Sequence, residues 1–189
     1  MTQSHGYRCS WVQGEMMEVY HDLEWGRPQH DDQQLYEMLF LEGFQAGLSW
    51  YIVLKKREAF RKAFSHFDAR AIAAYGEADV ARLLADEGIV RNRLKILGTI
   101  TNANVFLELQ KEFGSFDQYL LSFIPNGPVV NTTNVFPTSS PLSDAVSKDM
   151  RRRGMKFVGT VTIYSFLQSV GIIIDHEQEC FVMRELFAK

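Results

Sequence analysis

Apolar residues along this chain recur mostly at intervals of three and four, the spacing of a buried helix face. In LYEMLFLEGFQAGLSW, residues 35–50, Leu35, Leu39, Glu42 and Ala46 share one helical phase, so an acid takes a position whose neighbours are apolar. Asp31 and Asp32 can cap a helix expected over 31–45, which Gly47 would end. Residues 49–64, SWYIVLKKREAFRKAF, place Ile52, Leu54, Ala59, Phe60, Ala63 and Phe64 mostly on one side with basic residues opposite, which predicts one amphipathic helix. Shorter helices are expected over 68–75 and 77–85. A longer one is expected over 93–112, where Ile96, Ile100, Ala103, Phe106 and Leu107 keep step.

The stretch 125–141 holds four of the five prolines among Asn, Thr and Ser, which makes it a loop crossing the surface or joining lobes. Beyond it, Ser140 suits an N-cap, Pro141 the first helical position and Gly154 the far end of another helix. Residues 160–170 set Ile163, Phe166, Leu167 and Val170 at helical spacing and stop at Gly171, while their β-branched content keeps a strand open. Nothing demands a sheet. The expected fold is all-α, one unit over 1–189, built either as a single body or as two helical lobes around the loop 125–141.

Composition narrows the class. Apolar residues at 46% and charged residues at 23% fit an ordinary globular protein and argue against a disordered or fibrous one. No apolar run reaches membrane-spanning length, and MTQSHGYRCS has no apolar signal core, so a cytoplasmic protein is expected. A net charge of −3 argues against coating nucleic acid by bulk electrostatics, yet leaves local patches. Basic residues gather at Lys55, Lys56, Arg57, Arg61 and Lys62, at Arg91, Arg93 and Lys95, and at Lys148, Arg151, Arg152, Arg153 and Lys156. Each run alone reads as a solvated helix face; three together raise nucleic acid as a partner.

Cys9 and Cys180 are the only cysteines, too few for a cysteine-only iron–sulfur cluster. Eleven residues separate Cys9 from His21, and three separate His176 from Cys180, which puts the latter two one turn apart. Two cysteines and two histidines match a tetrahedral zinc site, and four protein ligands make such a site closed and structural. Zinc there would join the first twenty-odd residues to the last fourteen. Closing that loop costs roughly 4–5 kcal/mol, against roughly 10–16 kcal/mol for zinc binding in small domains. Spacing alone also admits ordinary thiols and incidental histidines, with His176 capping a helix.

Trp11, Tyr20, Trp25 and Trp50 lie around Glu42 in the sequence. Aromatic rings with a carboxylate suit a flat cationic ligand, the rings stacking on it while the acid accepts its N–H groups; a tryptophan-rich core is the other reading. LLADEGIVRNRLKI, 83–96, reads as helix, tight turn at Gly88, and a second helix opening on basic residues, a corner able to hold a phosphate.

The runs YHDLEWG (20–26), LEGFQAGLSW (41–50), LKKREAFRKAF (54–64), GIVRNRLKI (88–96), KFVGT (156–160) and DHEQEC (175–180) together resemble the DNA-3-methyladenine glycosylase I family of helix-hairpin-helix DNA glycosylases, over residues 7–181. The resemblance implies an all-helical enzyme with one structural zinc, acting as a monomer on alkylated double-stranded DNA. It would hydrolyse the N-glycosidic bond of 3-methyladenine, with no membrane and no obligate protein partner. It further implies Cys9, His21, His176 and Cys180 as zinc ligands. Glu42 would receive the flipped base, Trp50 would stack on it, and Tyr20, Trp11 and Trp25 would lie alongside. Leu48 would enter the vacated base stack, and Gly88, Arg91 and Lys95 would anchor DNA. Glu108, Glu112 and Asp117 read as surface and receive no role. Met17 departs from a pocket tyrosine found in some relatives, and Leu121 from a tryptophan, which concerns packing.

Two other classes compete. A catalytically idle binder of alkylated DNA on the same scaffold would bind tightly without releasing base. A zinc hydrolase or deaminase needs an open metal position, and a nucleobase deaminase a PCxxC run, which this chain lacks.

Overall fold

A computed structural model describes residues 6–188 of the chain. Residues 1–5 and 189, part of the expected unit 1–189, lie outside the described residues. The helices are α1 (Glu15–Leu23), α2 (Asp32–Gln45), α3 (Trp50–Lys55), α4 (Arg57–Ala63), α5 (Ala69–Ala73), α6 (Glu77–Ala85), α7 (Arg93–Phe113), α8 (Phe116–Leu121), α9 (Pro141–Arg152), α10 (Thr160–Ser169) and α11 (Phe181–Phe187). No described helix is long and apolar enough to cross a membrane.

Helix α2 is the axis of the core. Asp31 caps it by accepting from the Gln34 N–H at 2.9 Å. Leu35 to Leu41 are all buried, as are Glu42 and Phe44, so the helix is enclosed on every side. Helices α3, α7, α8 and α10 pack around it. Phe40 and Phe44 meet Phe60 and Phe64 in a continuous ring cluster, with centroids 4.7–6.0 Å apart. Burying four such rings removes several hundred Å² of apolar surface from water, the main force holding α4 to α2.

The helix expected over 49–64 is two. Lys56 sits between α3 and α4 at φ −93°, ψ 1°, and its N–H is shared by the Ile52 and Val53 carbonyls, which turns the chain. The expected helices over 31–45, 77–85 and 93–112 form within a residue or so of those bounds, and Asp68 and Ser140 cap α5 and α9. Residues 160–170 adopt the helix, not the strand. A sheet appears where none was expected: Val129–Val130 (β1) pairs in parallel with Ile173–Ile174 (β2). Two residues are too short to leave an alternating pattern. The pairing docks the proline-rich loop against the segment that leads into His176.

The basic runs are less free than their sequence suggests. Arg57 donates to Glu37 at 2.5 Å and to Glu24 at 2.6 Å, and Arg61 reaches Glu37 at 2.6 Å. Arg153 holds Glu112 at 2.6 Å and Asp149 at 2.7 Å, while Arg152 also pairs with Asp149. Lys55, Lys62, Arg91, Lys148, Arg151 and Lys156 are exposed.

Candidate functional site

Glu42 sits in the last turn of α2, on the buried side, at 4% exposure. It lines a cavity of about 260 Å³ together with Trp11, Met17, Tyr20, Trp25 and Trp50. Tyr20 comes from α1 and Trp50 from the start of α3, where Ser49 caps the helix, and their rings lie 5.3 Å apart. Trp11 and Trp25 meet edge to face at 4.9 Å. Sequence reasoning missed Phe136, Ser165, Gln168 and Asp175, which also line the cavity. Phe136 arrives from the proline-rich loop and Asp175 from the strand end before His176, neither of which carries a helical phase that could flag it.

The polar chemistry of the chain is concentrated here. Among the described residues, the buried side-chain atoms without a hydrogen-bond partner are Glu42 Oε2, Trp50 Nε1, Asp175 Oδ1 and Tyr36 OH. The first three belong to residues lining this one cavity. Buried polar groups are normally satisfied, so unpartnered atoms on three lining residues single this cavity out. Burial pushes the Glu42 carboxyl up to about 8. Burial and then the neighbouring Glu42 charge push the Tyr20 phenol well above its ordinary value. The second oxygen of Asp175 accepts from Tyr164 OH at 2.5 Å and from Gln168 at 2.6 Å.

Behind Trp11 and Trp25 the two ends of the chain meet. Cys9, His21, His176 and Cys180 are all buried, and their ligand atoms lie within 4.8 Å of one another. Cys9 Sγ is 3.5 Å from His176 Nδ1, and Cys180 Sγ is 3.4 Å from His21 Nε2 and 3.6 Å from His176 Nδ1. A tetrahedron with metal–sulfur bonds of about 2.3 Å and metal–nitrogen bonds of about 2.0–2.1 Å has sulfur–nitrogen edges of about 3.6 Å, so the donor set fits one dication with zinc's bond lengths. The far nitrogens are held too: His21 Nδ1 lies 2.8 Å from Asp22 Oδ1, and His176 Nε2 lies 3.1 Å from the Trp25 carbonyl. Arg8 clamps Asp22 in turn at 2.8 Å. Gly26, at φ 73°, is obligatory beside this cluster, because a Cβ there would lie 2.5 Å from His176 Nε2.

Other expected residues, Leu48, Gly88, Arg91 and Lys95, do not line the cavity. Gly47 takes φ 80° after the helix, and half-buried Leu48 follows, its N–H on the Gln45 carbonyl. At the turn between α6 and α7 the Gly88 N–H is engaged by Asp86 at 2.7 Å, and Arg91 is exposed beside Glu87. Lys95 is not at that surface. It is 7% exposed, and its ammonium donates inward to the Phe44 carbonyl at 2.7 Å and the Ala46 carbonyl at 2.6 Å. The expected phosphate contact from Lys95 therefore gives way to a bond with the end of α2, whose last carbonyls have no helical partner.

Known proteins resemble this chain in sequence and in fold. The methyladenine glycosylase family pattern matches residues 11–183. DNA-3-methyladenine glycosylase 1 of Escherichia coli (strain K12) is 46% identical over 177 residues, covering 92% of this chain and 95% of that protein. A crystal structure of a 3-methyladenine DNA glycosylase I superposes with a TM-score of 0.89 at 46% identity, covering 93% of this chain and 98% of the other. A variant of a 3-methyladenine DNA glycosylase I in complex with 3-methyladenine superposes with a TM-score of 0.86 at 31% identity, covering 92% and 95%. Likeness in sequence and in fold over almost the full length of both partners establishes that the chain belongs to the methyladenine glycosylase family.

Proposed function

We propose that this protein excises 3-methyladenine from alkylated double-stranded DNA by hydrolysing the N-glycosidic bond of a base flipped into the cavity. The observation that carries the reading is the set of unpartnered buried atoms of Glu42, Trp50 and Asp175 around one aromatic cavity. Such a wall is costly in the free protein and suits a flat ligand that brings N–H groups and positive charge. Methylation at N3 gives adenine that charge within DNA. Glu42 accepts from the exocyclic amine, Trp50 stacks on the ring with Tyr20 alongside, and Trp11 and Trp25 close the pocket. The C1′–N9 bond breaks with its electron pair leaving on the base, which neutralises the base. Water supplies hydroxide to C1′ and releases one proton. The lesion itself makes the base a good leaving group, so the protein mainly extrudes the base, selects it by charge and shape, and favours the charge-separated state.

On this reading Leu48 fills the vacated stack, the Gly88 turn and Arg91 meet the phosphates, and the chain works as one monomeric unit with no membrane or obligate protein partner. The spread of pocket residues from Trp11 to Glu177 supports a single unit. Cys9, His21, His176 and Cys180 hold one structural zinc, whose four protein ligands leave no position for a reacting water. The experiment is chromatography of free bases released from methylated duplex DNA. Release of 3-methyladenine by the wild type and its loss in a folded Glu42→Gln variant are expected. Tight binding without release from a folded, zinc-loaded protein identifies the idle binder instead, with Met17 in the pocket wall as the first suspect.

A further inference from the structure

Two lysines from runs that look nucleic-acid-facing in sequence instead bond main-chain carbonyls and tie the 44–56 segment to the hairpin. Lys56, between α3 and α4, donates to the Gly88 carbonyl at 2.8 Å and the Glu87 carbonyl at 3.2 Å. Lys95, in the first turn of α7, donates to the Phe44 carbonyl at 2.7 Å and the Ala46 carbonyl at 2.6 Å. The first reaches from the α3–α4 junction into the hairpin turn; the second reaches from the hairpin helix into the end of α2. Each ammonium takes two main-chain carbonyls, so each fixes backbone rather than another mobile side chain, and charge-assisted bonds of this length are among the stronger ones available. Lys95 is placed against both its burial and the positive end of its own helix, an expensive position for an ammonium unless the bonds it makes there matter. Its charge also lies 5.9 Å from the Phe44 ring centre.

The segment between these clamps carries Leu48 just beyond Gly47, and Glu42 lies two residues before it in the last turn of α2. We infer that Lys56 and Lys95 are positioning residues that make the hairpin and the 44–56 corner one rigid unit, so that the hairpin's seat on the DNA backbone sets how far Leu48 enters the base stack. Neither lysine touches the base. Their work concerns extrusion, the step that a paired lesion requires and an unpaired one does not.

The inference rests on the base-excision reading, and the test separates the two. Release of 3-methyladenine is followed in single turnover from methylated duplex DNA and from the same strands separated, for wild type, Lys95→Met and Lys56→Met. Affinity for free 3-methyladenine is followed by tryptophan fluorescence. The variants are expected to lose on the order of tenfold to a hundredfold on duplex, the scale of a displacement of about 1 Å, while single-strand release and free-base affinity stay within about twofold. Equal losses on both substrates, or no loss on duplex, overturn the clamp. No release by the wild type from either substrate overturns the function instead. Lys56 is half-buried, so should Lys95→Met fail to melt as a folded protein, Lys56→Met carries the same comparison alone.

Discussion

A carboxylate enclosed by aromatic rings with no cation beside it favours its proton, and Glu42 has that environment, with its pKa pushed up to about 8 by burial. The folded chain therefore retains the Glu42 proton over the range from 4.5, its ordinary value, to about 8, where an unfolded chain has lost it. The group's contribution to stability is thus fully present below 4.5 and declines as the pH rises towards 8. A cationic base reverses the preference, because it favours the ionised acid. Release of 3-methyladenine from duplex DNA at limiting enzyme should rise with pH, by up to about tenfold per unit, and level near the Glu42 pKa. Glu42→Gln should flatten that profile and slow release by on the order of a hundredfold, as loss of one charge-stabilising contact does elsewhere. A wild-type profile already flat between pH 6 and 8 would remove cation recognition from Glu42. The acid was legible in the sequence because it broke an apolar phase. Asp175 was not: within DHEQEC it looks like a spacer beside a ligand pair, and only the fold brings it to the cavity wall.

Among the helices, the long ones announce themselves, as do the short α5 and α6, while α1, α8 and α11 do not. Helices α2, α7, α9 and α10 carry enough turns for a periodic face and a recognisable cap. Helices α1, α8 and α11, of six to nine residues, have too few, and they exist because tertiary partners complete them. Helix α8 shows how. Ser115 caps it by accepting from Gln118, and Asp32, at the start of α2, accepts from the Phe116 and Asp117 N–H groups at 2.8 and 2.9 Å and from Gln110 at 2.6 Å. One carboxylate thus joins three helices, a link of 84 residues in sequence that no local pattern contains. Asp32→Ala should cost about 1–3 kcal/mol, seen as an earlier denaturant midpoint at unchanged slope. Asp32→Asn should recover only part of it, since one amide oxygen replaces two acceptors. A midpoint unmoved by the alanine would mean that water satisfies the α8 amides as well. The break at Lys56 has the same long-range origin: the residue turns the chain there and reaches the hairpin, while the local sequence reads as uninterrupted helix.

Across the whole molecule the cavity and the Cys/His cluster are one construction. Trp25 touches both, its ring 4.6 Å from that of His176 and its carbonyl on the His176 Nε2, while Trp11 packs edge-on against His21 at 5.5 Å. The ends of the chain therefore build the pocket wall, and the ion that joins them would hold it in register. Removing that join by Cys180→Ser or by chelation returns the closure entropy to the unfolded chain. At roughly 4–5 kcal/mol, and about 2–4 °C per kcal/mol for a chain of this size, the melting temperature should fall by roughly 8–20 °C. Bound metal should fall from about one ion per chain to none in the same samples. Because the wall loosens with the join, affinity for free 3-methyladenine should weaken as well, although neither sulfur lines the cavity. Were the cysteines ordinary buried thiols, the serine variant would melt only a few degrees lower, carry the same negligible metal as the wild type and bind the base unchanged. Measuring metal content, melting and base affinity on one pair of samples therefore decides whether the termini are joined by an ion or merely packed together.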